Sequence, residues 1–144
     1  MSANKAVPVH LHWRYIALVF VGGATGTTVR FLLSGVVPPV AGMPVGTFGI
    51  NVVGAFLLGA LLEALALRGA DEGRRRDLRL FIGTGVLGGF TTYSAFAVDT
   101  DGLIVAQNVG GSILYAVATI VVGALATVAG IALSARLARR RASS

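Results

Sequence analysis

The stretch GVLGGFTTYSAF, Gly85 to Phe96, lies inside an apolar segment and interrupts it with three glycines, two threonines and a serine. A glycine in a helix interior costs roughly 1 kcal/mol relative to alanine, and threonine hydroxyls compete for backbone groups. A helix running through Gly88-Gly89 and Thr91-Thr92 is therefore expected to break. In water, solvent would satisfy the freed carbonyls; in lipid nothing does. The solvent around this segment decides how the break is to be read.

Composition identifies that solvent. Of 144 residues, 55% are hydrophobic and only 12% charged, which excludes an ordinary water-soluble domain. The chain belongs in a bilayer as an all-α membrane protein. Four apolar segments are long enough to cross a hydrocarbon core of about 30 Å. They lie near Trp13 to Val37, Thr47 to Leu67, Leu80 to Val98 and Val109 to Leu133, with the expected break inside the third. The links are Pro38 to Pro44, an ionic stretch from Arg68 to Arg79, and an acidic turn, Asp99-Thr100-Asp101-Gly102. None is large enough for a second domain, so residues 1–144 form a single transmembrane unit.

The leader carries both histidines, His10 and His12, and lacks the small-residue cleavage pattern of a signal peptide, so the first apolar segment is expected to be retained. With no cysteine, disulfides and thiolate metal sites are excluded. Lys5, Arg14, Arg68, Arg74, Arg75, Arg76, Arg79, Arg136, Arg139, Arg140 and Arg141 fall on one side of a four-span topology. Lys and Arg beside spans stay cytoplasmic, which puts both termini inside a multi-pass plasma-membrane protein. These basic runs flank spans directly and have no interleaved aromatics, so they read as membrane anchors and not as a nucleic-acid surface. Arg30 is the one cation deep inside a span, away from the basic end. It either lines a wet cavity or snorkels to the far interface.

Polar residues within the spans follow helical spacing. Thr47 and Asn51 share a face, followed by Gly54 and Gly59; Asn51 offers donors at depth, or serves as glue between helices. The pairs Gly22–Gly26 and Gly85–Gly89 have the small-xxx-small spacing of close helix packing. Asn108, Ser112, Tyr115 and Thr119 form a stripe that reads as a lining. Tyr93 and Phe96 share a face after the break, either presenting electropositive ring edges to an anion or packing as core aromatics. Carbonyls freed by the break could hold a hard cation such as sodium. No carboxylate is expected at mid-depth, so neutral donors and one arginine favour an anion as cargo.

Three motifs taken together resemble those of the Fluc (CrcB) family of fluoride channels: Gly22 to Arg30 (GGATGTTVR), Gly46 to Gly59 (GTFGINVVGAFLLG) and Gly88 to Phe96 (GGFTTYSAF). The resemblance implies an antiparallel dimer of four-helix subunits, two fluoride pores, passive export and no enzymatic step. It also implies a structural, untransported sodium ion at the interface, held by the carbonyls of Gly88 and Thr91. The pore residues it implies are Asn51, Thr47, Arg30, Tyr115, Thr119, Tyr93 and Phe96. Two features depart from the family pattern: Tyr93 stands where a fluoride-facing phenylalanine is usual, and Gly123 replaces a serine found in some members. The charge bias implies a fixed orientation, and hence a heterodimer with an oppositely oriented homologue in place of a homodimer. Two other classes fit less well. A small four-helix multidrug exporter would need a carboxylate in the first span, and a non-transporting scaffold would have little reason for the polar stripe.

Overall fold

A computed structural model describes residues 12–142, so Lys5 and His10 lie outside the described residues. The described chain is helical, with α1 (Trp13–Val36), α2 (Val45–Ala66), α3 (Gly73–Leu78), a π-helical stretch (Arg79–Leu87), α4 (Gly88–Phe90), α5 (Tyr93–Val105) and α6 (Val109–Ala142). Four stretches are long and apolar enough to cross a membrane: Trp13–Val36, Val45–Ala66, Gly73–Val105 and Val109–Arg141. The chain is a multi-pass membrane protein.

Helix ends follow local chemistry. Val37, the residue before Pro38, is pushed into extended backbone and stops α1. The chain then reverses between Val40 and Met43, whose backbones pair, through Ala41 and Gly42 at φ 51° and 78°. Two successive positive φ values are the geometry of a tight hairpin turn.

Two expected links turn out to be helical. Gly73 to Arg79, read as the end of an ionic link, instead opens the third membrane-crossing stretch. The link that remains is held by its own charges: Asp71 pairs with Arg76 and Arg79. The hydrogen bond from Arg79 holds the Asp71 carboxyl below the usual carboxylate range. Asp99 to Gly102, read as a turn, lies within α5. The reversal comes later, at Gln107 with φ 60°, after which the Asn108 side chain caps α6 by accepting from the Gly111 N–H.

Packing pairs α2 with α6, and α1 with the π-helical stretch. Both crossings depend on missing side chains. A Cβ on Gly22 or Gly26 would run into the Phe81 or Val86 carbonyl oxygen, and one on Gly130 or Gly59 into that of Phe56 or Thr127. Close backbone approach of this kind is how helices associate in lipid, where the hydrophobic effect does not draw them together. With 34 residues, α6 is about 51 Å long at 1.5 Å per residue, well beyond the bilayer core of about 30 Å. Its last turns carry Arg136 to Arg141 past the apolar span.

Candidate functional site

Between α4 and α5 the helical pattern stops for two residues. Thr91 (φ −74°, ψ 155°) and Thr92 (φ −147°, ψ 120°) are extended, and α5 restarts at Tyr93. Each side of this interruption is held by a side chain from another helix. From α2, the Asn51 amide closes a two-bond pair on the Thr92 backbone: its Nδ2 donates to the Thr92 carbonyl at 3.0 Å, and its Oδ1 accepts the Thr92 N–H at 2.8 Å. From α1, Arg30 Nε donates to the Gly89 carbonyl at 3.3 Å, with Thr27 Oγ1 donating to the same oxygen at 3.4 Å.

These partners determine which carbonyls are satisfied. In a continuous α-helix, the Thr92 N–H would donate to the Gly88 carbonyl and the Ala95 N–H to that of Thr91. Here the Thr92 N–H goes to Asn51, and the Ala95 N–H to the Thr92 hydroxyl, which caps α5. Gly88 and Thr91 thus lose their ordinary helical donors to named side chains. Two neutral backbone oxygens left in this way suit a hard cation.

Beside the interruption lies a groove of about 420 Å³ that gathers Asn51, Thr91, Tyr93, Phe96 and Thr119. Tyr93 is 81% exposed, so the groove opens toward the outside of the chain. The two rings are 6.0 Å apart between centroids, and Phe96 also packs on Tyr115 at 5.6 Å. The groove does not include Arg30, Thr47 or Tyr115. Arg30 serves the interruption from the α1 side.

The α6 stripe faces α5. Ser112 Oγ donates to the Thr100 carbonyl at 2.9 Å, and the Tyr115 hydroxyl to Asp99 at 3.4 Å; both residues are buried. Thr47 is a further polar neighbour of the Tyr115 hydroxyl. Thr119, which reaches the groove, spends its hydroxyl proton on the Tyr115 carbonyl at 2.7 Å. Sequence reading missed two residues here. Asp99 is half-buried in α5, not in a link, so a carboxylate does sit within the third membrane-crossing stretch. Its spacing of three from Phe96 was the available signal. Thr127 also lines the groove and continues the stripe at two further steps of four. Thr92, named in the sequence as part of the break, acts there through its backbone and its hydroxyl cap.

A family model described as CrcB-like protein, Camphor Resistance (CrcB), matches residues 17–131, which include the whole interruption and both of its clamps. The chain belongs to the CrcB family. Among similar proteins, the fluoride-specific ion channel FluC 2 of Leifsonia xyli is 70% identical over 141 residues, covering 98% of this chain and 97% of that protein. The fluoride-specific ion channel FluC of Pyrococcus furiosus is 42% identical over 127 residues, covering 88% and 98%. The FluC 1 channel of Cutibacterium acnes is 46% identical over 111 residues, covering 76% and 78%. With the Leifsonia and Pyrococcus proteins the likeness extends over almost the whole of each relative, so the family assignment does not rest on one local motif.

Proposed function

We propose that this chain is one subunit of a fluoride-specific ion channel and not an enzyme. The observation that carries the reading is the groove beside Thr92, where an amide and aromatic ring edges converge, in a protein whose relatives bear that name. Asn51 spends one Nδ2 proton on Thr92 and keeps a second for an anion. Phe96 and Tyr93 offer positive ring edges, and Thr119 and Thr127 line the same space. Fluoride is small and strongly hydrated, so a pore must replace its water with donors held in position, while a narrow bore rejects larger anions. Flow is passive and follows the gradient, which weak-acid accumulation of HF creates at low external pH.

The groove needs a second wall. Tyr93 exposes its ring and hydroxyl on a span that would otherwise face lipid, which supports a second subunit packed there, in the antiparallel orientation that the family resemblance implies. A structural sodium ion at that interface is the occupant that suits the Gly88 and Thr91 carbonyls. It supplies positive charge where both subunits bring unsatisfied oxygens. Arg30, Thr27 and Asn51 hold the neighbouring backbone so that these two oxygens remain available.

A fluoride electrode outside liposomes loaded with potassium fluoride tests the reading. Liposomes holding this chain together with an oppositely oriented homologue should release fluoride and retain chloride. Retention of fluoride in every combination, with both proteins folded and inserted, would overturn it.

A further inference from the structure

A second concavity, of about 460 Å³, lies between the C-terminal ends of α2 and α6. Its polar rim is Arg68 and Arg141, and its apolar wall includes Leu67 and Leu137, which are 52% and 48% exposed. Ser134 Oγ donates to the Ala60 carbonyl at 2.8 Å and ties the two helices together there.

Charge pairing at this end of the bundle is uneven. Arg14 pairs with Asp77, Arg76 and Arg79 pair with Asp71, and Arg75 donates to the Ala70 carbonyl. Among the described residues, Arg68 and Arg141 have no carboxylate partner. Two uncompensated guanidiniums thus share one groove with exposed leucines, just where the apolar spans give way to the basic end. Guanidinium matches phosphate oxygens through paired N–H bonds, and basic pockets between helices at a membrane surface select anionic head groups.

We propose that this groove binds one anionic glycerophospholipid, its phosphate between Arg68 and Arg141 and an acyl chain along Leu67 and Leu137. A zwitterionic lipid brings its own cation, which competes with the arginines for the phosphate. Free phosphate would meet the arginines but gain nothing from the leucines. The groove shares no lining residue with the one beside Thr92, so the test is independent of the fluoride reading.

Native mass spectrometry of the detergent-solubilised full chain, given equal phosphatidylglycerol and phosphatidylcholine, reads the preference directly. At about 1 kcal/mol per arginine, a retained-lipid ratio of about tenfold or more in favour of phosphatidylglycerol is expected. The Arg68→Gln/Arg141→Gln double variant should bring the ratio close to unity. Arg136→Gln/Arg139→Gln, which removes the same charge outside the groove, should preserve it. Excess inorganic phosphate should not displace the lipid. Equal retention of the two lipids by the unaltered protein would overturn the proposal without recourse to any variant. So would equal loss in both double variants, or displacement by inorganic phosphate.

Discussion

Replacing Asn51 tests whether the interruption is held in place or merely permitted. The amide makes two hydrogen bonds to the backbone of one residue, 3.0 Å to the Thr92 carbonyl and 2.8 Å from the Thr92 N–H. Asn51→Ala deletes both and leaves a buried donor and acceptor unpaired. Each orphaned group costs about 1–3 kcal/mol, so about 2–6 kcal/mol is at stake, and in lipid no water repairs the loss. Asn51→Asp is subtler. One carboxylate oxygen can still accept the Thr92 N–H, but the other now faces the Thr92 carbonyl, acceptor against acceptor, and the proton proposed for fluoride is gone. The aspartate variant should therefore lose fluoride flux as fully as the alanine variant, and melt between it and the parent. Losing the clamp should also let the Thr92 N–H fold back toward the Gly88 carbonyl, so any stabilisation by sodium should shrink in Asn51→Ala. Circular-dichroism melts in sodium and in N-methylglucamine, alongside liposome efflux, separate these effects. A folded Asn51→Ala protein with parental melting, parental sodium response and parental flux would refute the clamp and the pore assignment together.

Other perturbations fall at positions with different burdens. Tyr93→Phe removes a hydroxyl from an 81% exposed side chain, so the single chain should melt within about 0.5 kcal/mol of the parent while fluoride flux is kept or raised; a flux collapse in electrode assays would count against the ring-edge role. Phe96→Ile keeps most of the apolar bulk against Tyr115, so efflux should fall more than thermal stability does. Tyr115→Phe strands Asp99 and should cost about 1 kcal/mol, whereas in the Asp99→Asn background the same change should cost less, as a double-mutant cycle of melting would reveal. Gly130→Val drives a branched side chain into the Phe56 carbonyl and should abolish the folded α2–α6 pair, read as loss of a monodisperse peak on size-exclusion chromatography.

The spans were legible because lipid imposes a strong requirement: a long apolar run has few other destinations. The glycine pairs were legible for a related reason, and Gly22 and Gly85 do meet, with their backbones in contact across the α1 crossing. What the sequence hid was pairing. Asp99 and Asp101 look like an exit from the membrane when charge is counted along the chain. In space Asp99 receives the Tyr115 hydroxyl and Thr100 receives Ser112, so helix α5 continues to Val105. The partner of Asn51 was equally hidden, since spacing reports a shared face but not the residue 41 positions away whose backbone the amide grips. The π-helical turn from Arg79 to Leu87 has no marker beyond Gly83 and Gly85, and those also serve packing.

Orientation is the property on which the proposed assembly turns. The basic residues gather at one end: Arg14 joins Asp77, and Arg68 shares a groove with Arg141. The opposite end has the Ala41–Gly42 turn and the Gln107 turn and carries no Lys or Arg in either link. Such a bias inserts a chain one way, basic end inside. Gln107 is a suitable probe of the far side, since it lies at the reversal after α5. Cysteines placed at Ala41 and Gln107 should then react with an impermeant maleimide only from outside intact cells, and cysteine at Arg139 only after lysis. A set of identically oriented copies cannot form an antiparallel pair. This chain expressed alone should therefore give little fluoride efflux, and co-expression with an oppositely biased homologue should restore it. Labelling of Ala41 and Gln107 positions from both sides, together with robust efflux from the chain alone, would show that arginine placement does not fix the orientation and that the subunit pairs with inverted copies of itself.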